Sequence, residues 1–91
     1  MFDFFNKYII ITRRDVAIRL PRKIYKELKA KGIDISLVKT KTNNKPSCVQ
    51  LTSYLNGKQI YHGTLKAYMN VKKFKNGDVC DFHKNNLILK G

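Results

Sequence analysis

Val49-Gln50-Leu51-Thr52-Ser53-Tyr54-Leu55-Asn56-Gly57-Lys58-Gln59-Ile60-Tyr61-His62 decides the fold. Asn56-Gly57 between runs of β-branched and aromatic residues marks a two-residue hairpin turn. Both central positions of that turn need positive φ, which Asn and Gly adopt at the lowest cost. Once the turn is set the register follows, with Ile60 opposite Ser53 and Tyr61 opposite Thr52. The two-residue period places Val49, Leu51 and Leu55 on one face of the first strand. An antiparallel hairpin is expected at the centre of the molecule.

Working towards the N-terminus, Asn43-Asn44-Lys45-Pro46 is a polar turn, preceded by the run Lys39-Thr40-Lys41-Thr42. Ile33, Ile35 and Leu37 alternate as in a strand. Gly32 closes a helix at the position that favours a left-handed residue, and Pro21 opens it, where no amide hydrogen is needed. That helix is expected over about 21–31. Its apolar positions Ile24 and Leu28, with the flanking Leu20, recur at helical spacing, while Lys23, Lys26, Lys29 and Lys31 face outward. Upstream, Val16, Ile18 and Leu20 alternate with Ala17 and Arg19. Arg13-Arg14-Asp15 turns the chain, and Lys7–Thr12 is a β-branched and aromatic strand. Towards the C-terminus, Leu65, Tyr68 and Met69 predict a short second helix over about 64–70, ended by Asn70. Asn76-Gly77 makes another turn, and two short apolar pieces follow, Val79 to Phe82 and Leu87 to Leu89. The fold class is α+β in one domain, residues 1–91: a small antiparallel sheet with a central hairpin, one clear helix and a short second one.

Charge is the outlier. The 91 residues carry 19 Lys and Arg against six Asp and Glu, a net +13, while 43% are hydrophobic and ten are aromatic. The apolar share supports a packed core rather than disorder, although a chain this short buries only about 60–65% of its unfolded surface. So large an excess of like charge costs stability through self-repulsion, and a polyanion offsets that cost. A nucleic acid, DNA ahead of RNA, or a nucleoprotein complex is the expected partner. A membrane surface, an acidic protein and plain solubility are the competing readings. Cys48 and Cys80 have no C-x-x-C spacing, and with two His no structural zinc is expected; both read as small core residues. Met1-Phe2-Asp3-Phe4-Phe5 is acidic where a signal peptide would be positive. The longest apolar run, Tyr8-Ile9-Ile10-Ile11, is too short to span a bilayer. A cytoplasmic, reduced protein is expected, in the host cytoplasm if phage-encoded.

Two surfaces are candidates for the polyanion. One is the helix row Arg22, Lys23, Lys26 and Lys29, with Arg13, Arg14 and Arg19 close in sequence. The other is the hairpin, where Lys39, Lys41, Lys45 and Lys58 mix with Tyr54 and Tyr61. A two-stranded ribbon fits the major groove, and tyrosines beside lysines can stack on unpaired bases. Against these stand the ordinary readings: a solvated helix face for the lysines and cross-strand packing for the tyrosines. His62, with no carboxylate or cysteine near it in sequence, reads as an exposed or packed histidine.

From about Val49 onward the order is strand, Asn56-Gly57-Lys58 turn, strand, then Leu65-Lys66-Ala67-Tyr68-Met69-Asn70, Asn76-Gly77-Asp78-Val79-Cys80-Asp81 and Lys84-Asn85-Asn86-Leu87-Ile88-Leu89. This order resembles the HNH homing-type endonucleases common in phage genomes, and Ile24 to Val49 fits that family's loosely patterned lead-in. The resemblance implies a phage or mobile-element origin, a DNA contact by Lys66 where the family usually has Arg, and metal-binding positions at Asp81 and Asn86. Their oxygens suit a magnesium-like ion. The departures bear on chemistry. In the family a histidine follows the aspartate and acts as general base on the attacking water. Phe82 stands there in this chain, His83 is one place along and would point to the opposite face, and the asparagine loop is cut to Phe82–Asn85.

The resulting expectation is a non-catalytic nucleic-acid-binding protein on a degenerate HNH-like scaffold, with no catalytic residue. No cofactor is expected, and magnesium only if Asp81 and Asn86 still form the site. The first alternative is a phage inhibitor or adaptor, of anti-defence or anti-CRISPR type, that docks on a host nucleoprotein complex. The second is a metal-dependent nicking enzyme with His83 as the base.

Overall fold

In the computed structural model, which describes residues 7–91, the chain opens with an antiparallel hairpin, β1 (Tyr8–Arg13) and β2 (Val16–Pro21). Its turn is Arg14-Asp15, both at positive φ (50° and 64°). Met1-Phe2-Asp3-Phe4-Phe5, read above for signal character, lies outside the described residues.

Helix α1 (Arg22–Ala30) follows directly, with Pro21 one position before it as the last residue of β2. The first helical amide, Arg22 N, is satisfied by the Lys7 carbonyl at 3.0 Å. At the other end Gly32 takes φ +74°. Ile33 N donates to Leu28 O (2.9 Å) and Gly32 N to Lys29 O (3.0 Å), so two terminal carbonyls are capped by the tight reversal only glycine makes cheaply.

The reversal feeds a three-stranded antiparallel sheet in the order β3 (Asp34–Lys39), β4 (Pro46–Leu55), β5 (Lys58–Thr64). Asn56 and Gly57 have φ of 53° and 79°. Ser53 faces Ile60 and Thr52 faces Tyr61, the register that the turn dictates. Thr64 Oγ1 accepts from Ala67 N at 3.1 Å and starts the single-turn helix α2 (Leu65–Tyr68). A third small sheet pairs β6 (Val71–Phe74) with β7 (Leu87–Leu89). The architecture is α+β, with antiparallel strands shared among three small sheets.

The segment expected as an apolar piece at Val79–Phe82 closes the molecule differently from an antiparallel strand. It lies parallel along the free edge of β2: Arg19 N donates to Cys80 O at 2.9 Å, and Phe82 N to Arg19 O at 2.7 Å. Alternation along it sends Cys80 and Phe82 inward and Asp81 outward. Phe82, one of the largest fully buried side chains, meets Phe74 edge to face at 5.1 Å between centroids. With Ile18, Leu20, Leu28 and Leu51 it fills the centre between the sheets and α1. Each such side chain, fully buried, contributes roughly 1.5–3 kcal/mol of transfer free energy.

Cys80 is a core residue, as expected, while Cys48 is only half-buried; both thiols are free. Burial, and secondarily the charge of Asp78, push the Cys80 thiol up to about 11. Leu55 shares the strand face of Val49 and Leu51 but is 61% exposed. The reason is length. β3 starts at Asp34, opposite Thr52, so beyond Thr52 the β4–β5 ribbon projects with no third strand beside it.

Candidate nucleic-acid interface

Helix α1 places Lys23, Lys26 and Lys29 three residues apart, on one exposed face. None of the three has a carboxylate partner among the described residues. The helix's one acid, Glu27, is turned the other way and accepts the Tyr68 hydroxyl of α2 at 2.9 Å. The same hydroxyl accepts from Lys31 Nζ at 3.2 Å, and that ammonium sits 5.2 Å above the Tyr68 ring centroid. Lys29 Nζ lies 5.5 Å above the Tyr25 ring. The aromatic rings thereby hold two ammonium groups without neutralising them. Tyr68 also brings α2, with the exposed Lys66, to the end of α1. Lys23, Lys26 and Lys29 make the basic face of α1, while Lys31 shares the Tyr68 hydroxyl with Glu27 on the helix's other side and Lys66 stands exposed on α2.

The arginines divide. Arg22 at the start of α1 is half-buried, and Arg14 sits exposed on the first hairpin turn beside Asp15. Arg13 belongs to the structure: its Nε donates to Ile35 O (3.0 Å) and its Nη2 to Asp34 Oδ1 (3.2 Å), tying the first sheet to the second. Arg19 grips Asp81 through two parallel bonds of 2.9 and 2.8 Å. The charges of Arg13 and Arg19 are thus met by acids within the chain, unlike those of the helix lysines.

The hairpin cluster also separates. Lys39, Lys41 and Lys45 sit on the β3–β4 connection, where Thr40 N donates to Lys45 O at 2.8 Å. Tyr54, Lys58 and Tyr61 sit at the opposite end of β4. At the usual strand rise, the six to nine residues of β4 between them put the two groups roughly 20–30 Å apart, so they form no common surface. Tyr54 and Tyr61 are 70% and 58% exposed, so cross-strand packing does not bury them either. His62 is exposed and meets Ser53 Oγ through Nε2 at 2.7 Å.

A third group, which sequence reasoning passed over, is Lys72, Lys73, Lys75, Lys84 and Lys90, all exposed around the β6–β7 sheet. Strict alternation would turn one of Lys72 and Lys73 inward, but the register shifts between Val71 and Lys73 and both face out.

Asp81, His83 and Asn86 do not converge. The Asp81 carboxylate is held by Arg19 and accepts His83 N at 3.2 Å. The His83 ring stacks on Tyr8 (centroids 4.3 Å apart), and its Nδ1 accepts from Asn85 N. Asn86 is 8% exposed and faces its own loop: Oδ1 accepts from Asn76 N at 2.9 Å and Nδ2 donates to Asp81 O at 3.0 Å. The two side chains expected as metal ligands thus have partners within the chain, Asp81 in Arg19 and Asn86 Oδ1 in the Asn76 amide. Among the described residues no three His, Cys, Asp or Glu side chains group to hold a metal.

The Arg19 hydrogen bonds hold the Asp81 carboxyl below the usual carboxylate range, against a smaller opposing effect of burial. At Asp34 burial is the largest single influence and acts upward. The Ile35 amide and Arg13 together outweigh it, so this carboxyl too is lowered. Lowered carboxyls stabilise the fold above the ordinary value of about 4, and the contribution is lost as pH falls through the lowered values. Urea midpoints are expected to be flat from about pH 7 to 5 and to fall below about pH 4, with Asp81→Asn removing part of the fall.

Comparison with known proteins returns no family model, no curated protein and no solved structure that matches the chain. Among the described residues no helix is long and apolar enough to cross a membrane.

Proposed function

We propose that the protein is a non-catalytic nucleic-acid-binding protein, of phage or mobile-element type, that grips the DNA backbone through the lysine face of α1, joined by Lys66 of α2. One observation carries the reading: Lys23, Lys26 and Lys29 share an exposed helix face, and none meets a carboxylate among the described residues. A row of ammonium groups on a rigid helix contacts phosphates and reads no bases, so binding is salt-sensitive and weakly selective. The HNH-like order of residues 49–89 favours DNA over RNA as the polyanion.

Three features favour a non-catalytic role. Phe82, at the place of the general base, is buried and has no proton acceptor. Asp81 is engaged by Arg19. His83 lies flat on Tyr8, with one ring nitrogen occupied by Asn85 N. With Nδ1 accepting, the neutral ring carries its proton on Nε2, which leaves no second lone pair to take a proton from water.

A fluorescent-duplex titration at two salt concentrations tests the proposal. With Lys23, Lys26, Lys29 and Lys66 on phosphates, affinity is expected to fall by roughly 150-fold between about 50 and 200 mM salt. No binding at the lower salt, or an affinity indifferent to salt, would overturn it and leave the adaptor reading. Magnesium-dependent nicking abolished by His83→Ala would establish the enzyme instead.

A further inference from the structure

The lysine face of α1 leaves one part of the molecule unused. Residues 46–65 carry a single charged side chain, Lys58, in a chain of net charge +13. The same stretch holds four of the six exposed large apolar side chains among the described residues: Tyr54, Leu55, Ile60 and Tyr61. Tyr54, Leu55 and Ile60 lie on the ribbon that projects beyond β3, and Tyr61 lies at its base opposite Thr52. β5 is the outer strand of its sheet, and its residues Lys58–His62 are all exposed. None of its backbone groups bonds to another part of the chain outside the β4 pairing, among the described residues.

Unpaired edges are ordinarily blocked by a proline, a bulge or an inward-pointing charge. Here the only irregularity of the β4–β5 pair lies between Gln50 and Thr52, at the base of the ribbon. On β5 that shift falls at His62 and Gly63, the latter at φ +98°, so the regular edge runs from Lys58 to Tyr61, with Lys58 guarding the tip and the bulge guarding the base.

We infer that the protein pairs with a second copy of itself along β5, edge to edge and antiparallel, about a two-fold axis at Ile60. Directly opposed residues in an antiparallel pair share a face, so the axis must pass through a residue. With Ile60 against its own copy, Gln59 opposes Tyr61, and each Lys58 reaches the level of the other copy's bulge at His62. The two Lys58 side chains then stand about 13 Å apart along the strands, beyond the screening length of about 8 Å at physiological salt. Electrostatics selects this occupant. An acidic partner would prefer the lysine faces, whereas an almost uncharged, apolar edge is where two strongly cationic copies meet with the least repulsion. The exposed tyrosines, which lie on the ribbon's other face from Ile60, add rigid apolar area to the joined sheet.

The contact is small, so association in the tens to hundreds of micromolar is expected. Sedimentation equilibrium without nucleic acid, up to about 0.5 mM protein, should show the mass rising from 10.6 kDa toward twice that value. Added salt should strengthen this association by screening the two cationic bodies, whereas it weakens phosphate binding. Failure here and failure of the nucleic-acid reading are therefore separable. Ile60→Lys and Tyr61→Glu should each weaken association at least about tenfold with an unchanged thermal melt, because either places a charge on the edge. Two results would overturn the inference: a wild-type protein monomeric throughout, which would leave the ribbon to a foreign partner, or a Tyr61→Glu variant that associates more strongly while Ile60→Lys associates less, which is a net-charge effect.

Discussion

Changing Lys23, Lys26 and Lys29 together to Gln is expected to weaken duplex binding roughly 100-fold at about 0.15 M salt, with no loss of helix content. Each lysine on a phosphate releases about 0.9 of a counterion. Three fewer contacts remove about 2.7 from the slope of log affinity against log salt. The deficit should therefore be largest at low salt and shrink by roughly 40-fold between about 50 and 200 mM. The fold should tolerate the change: all three side chains are exposed, none is in an ion pair among the described residues, and Gln is nearly as good a helix former as Lys. Lys39→Gln, Lys41→Gln and Lys45→Gln made together provide the control. They remove the same charge from the far end of β3 and the loop that follows it, so general charge loss is matched while the α1 face stays intact. Equal deficits in the two triple variants would show that net charge, not a defined face, drives binding.

Asn86→Ala is expected to cost about 2–4 kcal/mol of folding stability, a large share of the total for a domain this size. The side chain makes two hydrogen bonds to backbone, one to Asn76 N and one to Asp81 O. Its own backbone carbonyl takes a third, from Lys75 N at 2.7 Å, which the substitution retains. Removing the amide leaves a donor and an acceptor without partners in a part-buried loop, at about 1–3 kcal/mol each. Asn86→Asp separates the clamp from the metal-ligand reading. A carboxylate keeps the acceptor for Asn76 N, loses the donor to Asp81 O and faces that carbonyl with a negative charge. As a clamp, Asp at this position is destabilising and indifferent to magnesium. As a ligand, it would raise the magnesium-dependent stability. Urea unfolding with and without magnesium reads the difference.

Local rules carry a long way in this chain. The hairpin register was legible because Asn56-Gly57 leaves the flanking strands no other pairing, and α1 because Pro21 and Gly32 bracket a 3.6-residue pattern. What depended on distant partners was not legible. Arg13 and Arg19 meet acids 21 and 62 positions away, and nothing in the local pattern distinguishes them from Arg14. Leu55 looks like core until the starting point of β3 is known. Lys39, Lys41 and Lys45 seem to belong with Tyr54 and Tyr61 because they are near in sequence, yet an extended strand converts a short interval into a long distance. The five lysines around β6 and β7 went unnoticed because their clustering arises from a register shift and a long connection. The basic helix face, by contrast, needed only the spacing of Lys23, Lys26 and Lys29.

Lysine acetylation of the protein, free and bound to a duplex, locates the phosphate contact most directly. Reactivity at Lys23, Lys26, Lys29 and Lys66 is predicted to drop on binding, with Lys39, Lys41, Lys45 and Lys58 unchanged. Protection confined to the second set, or spread evenly over both, would contradict a grip centred on α1.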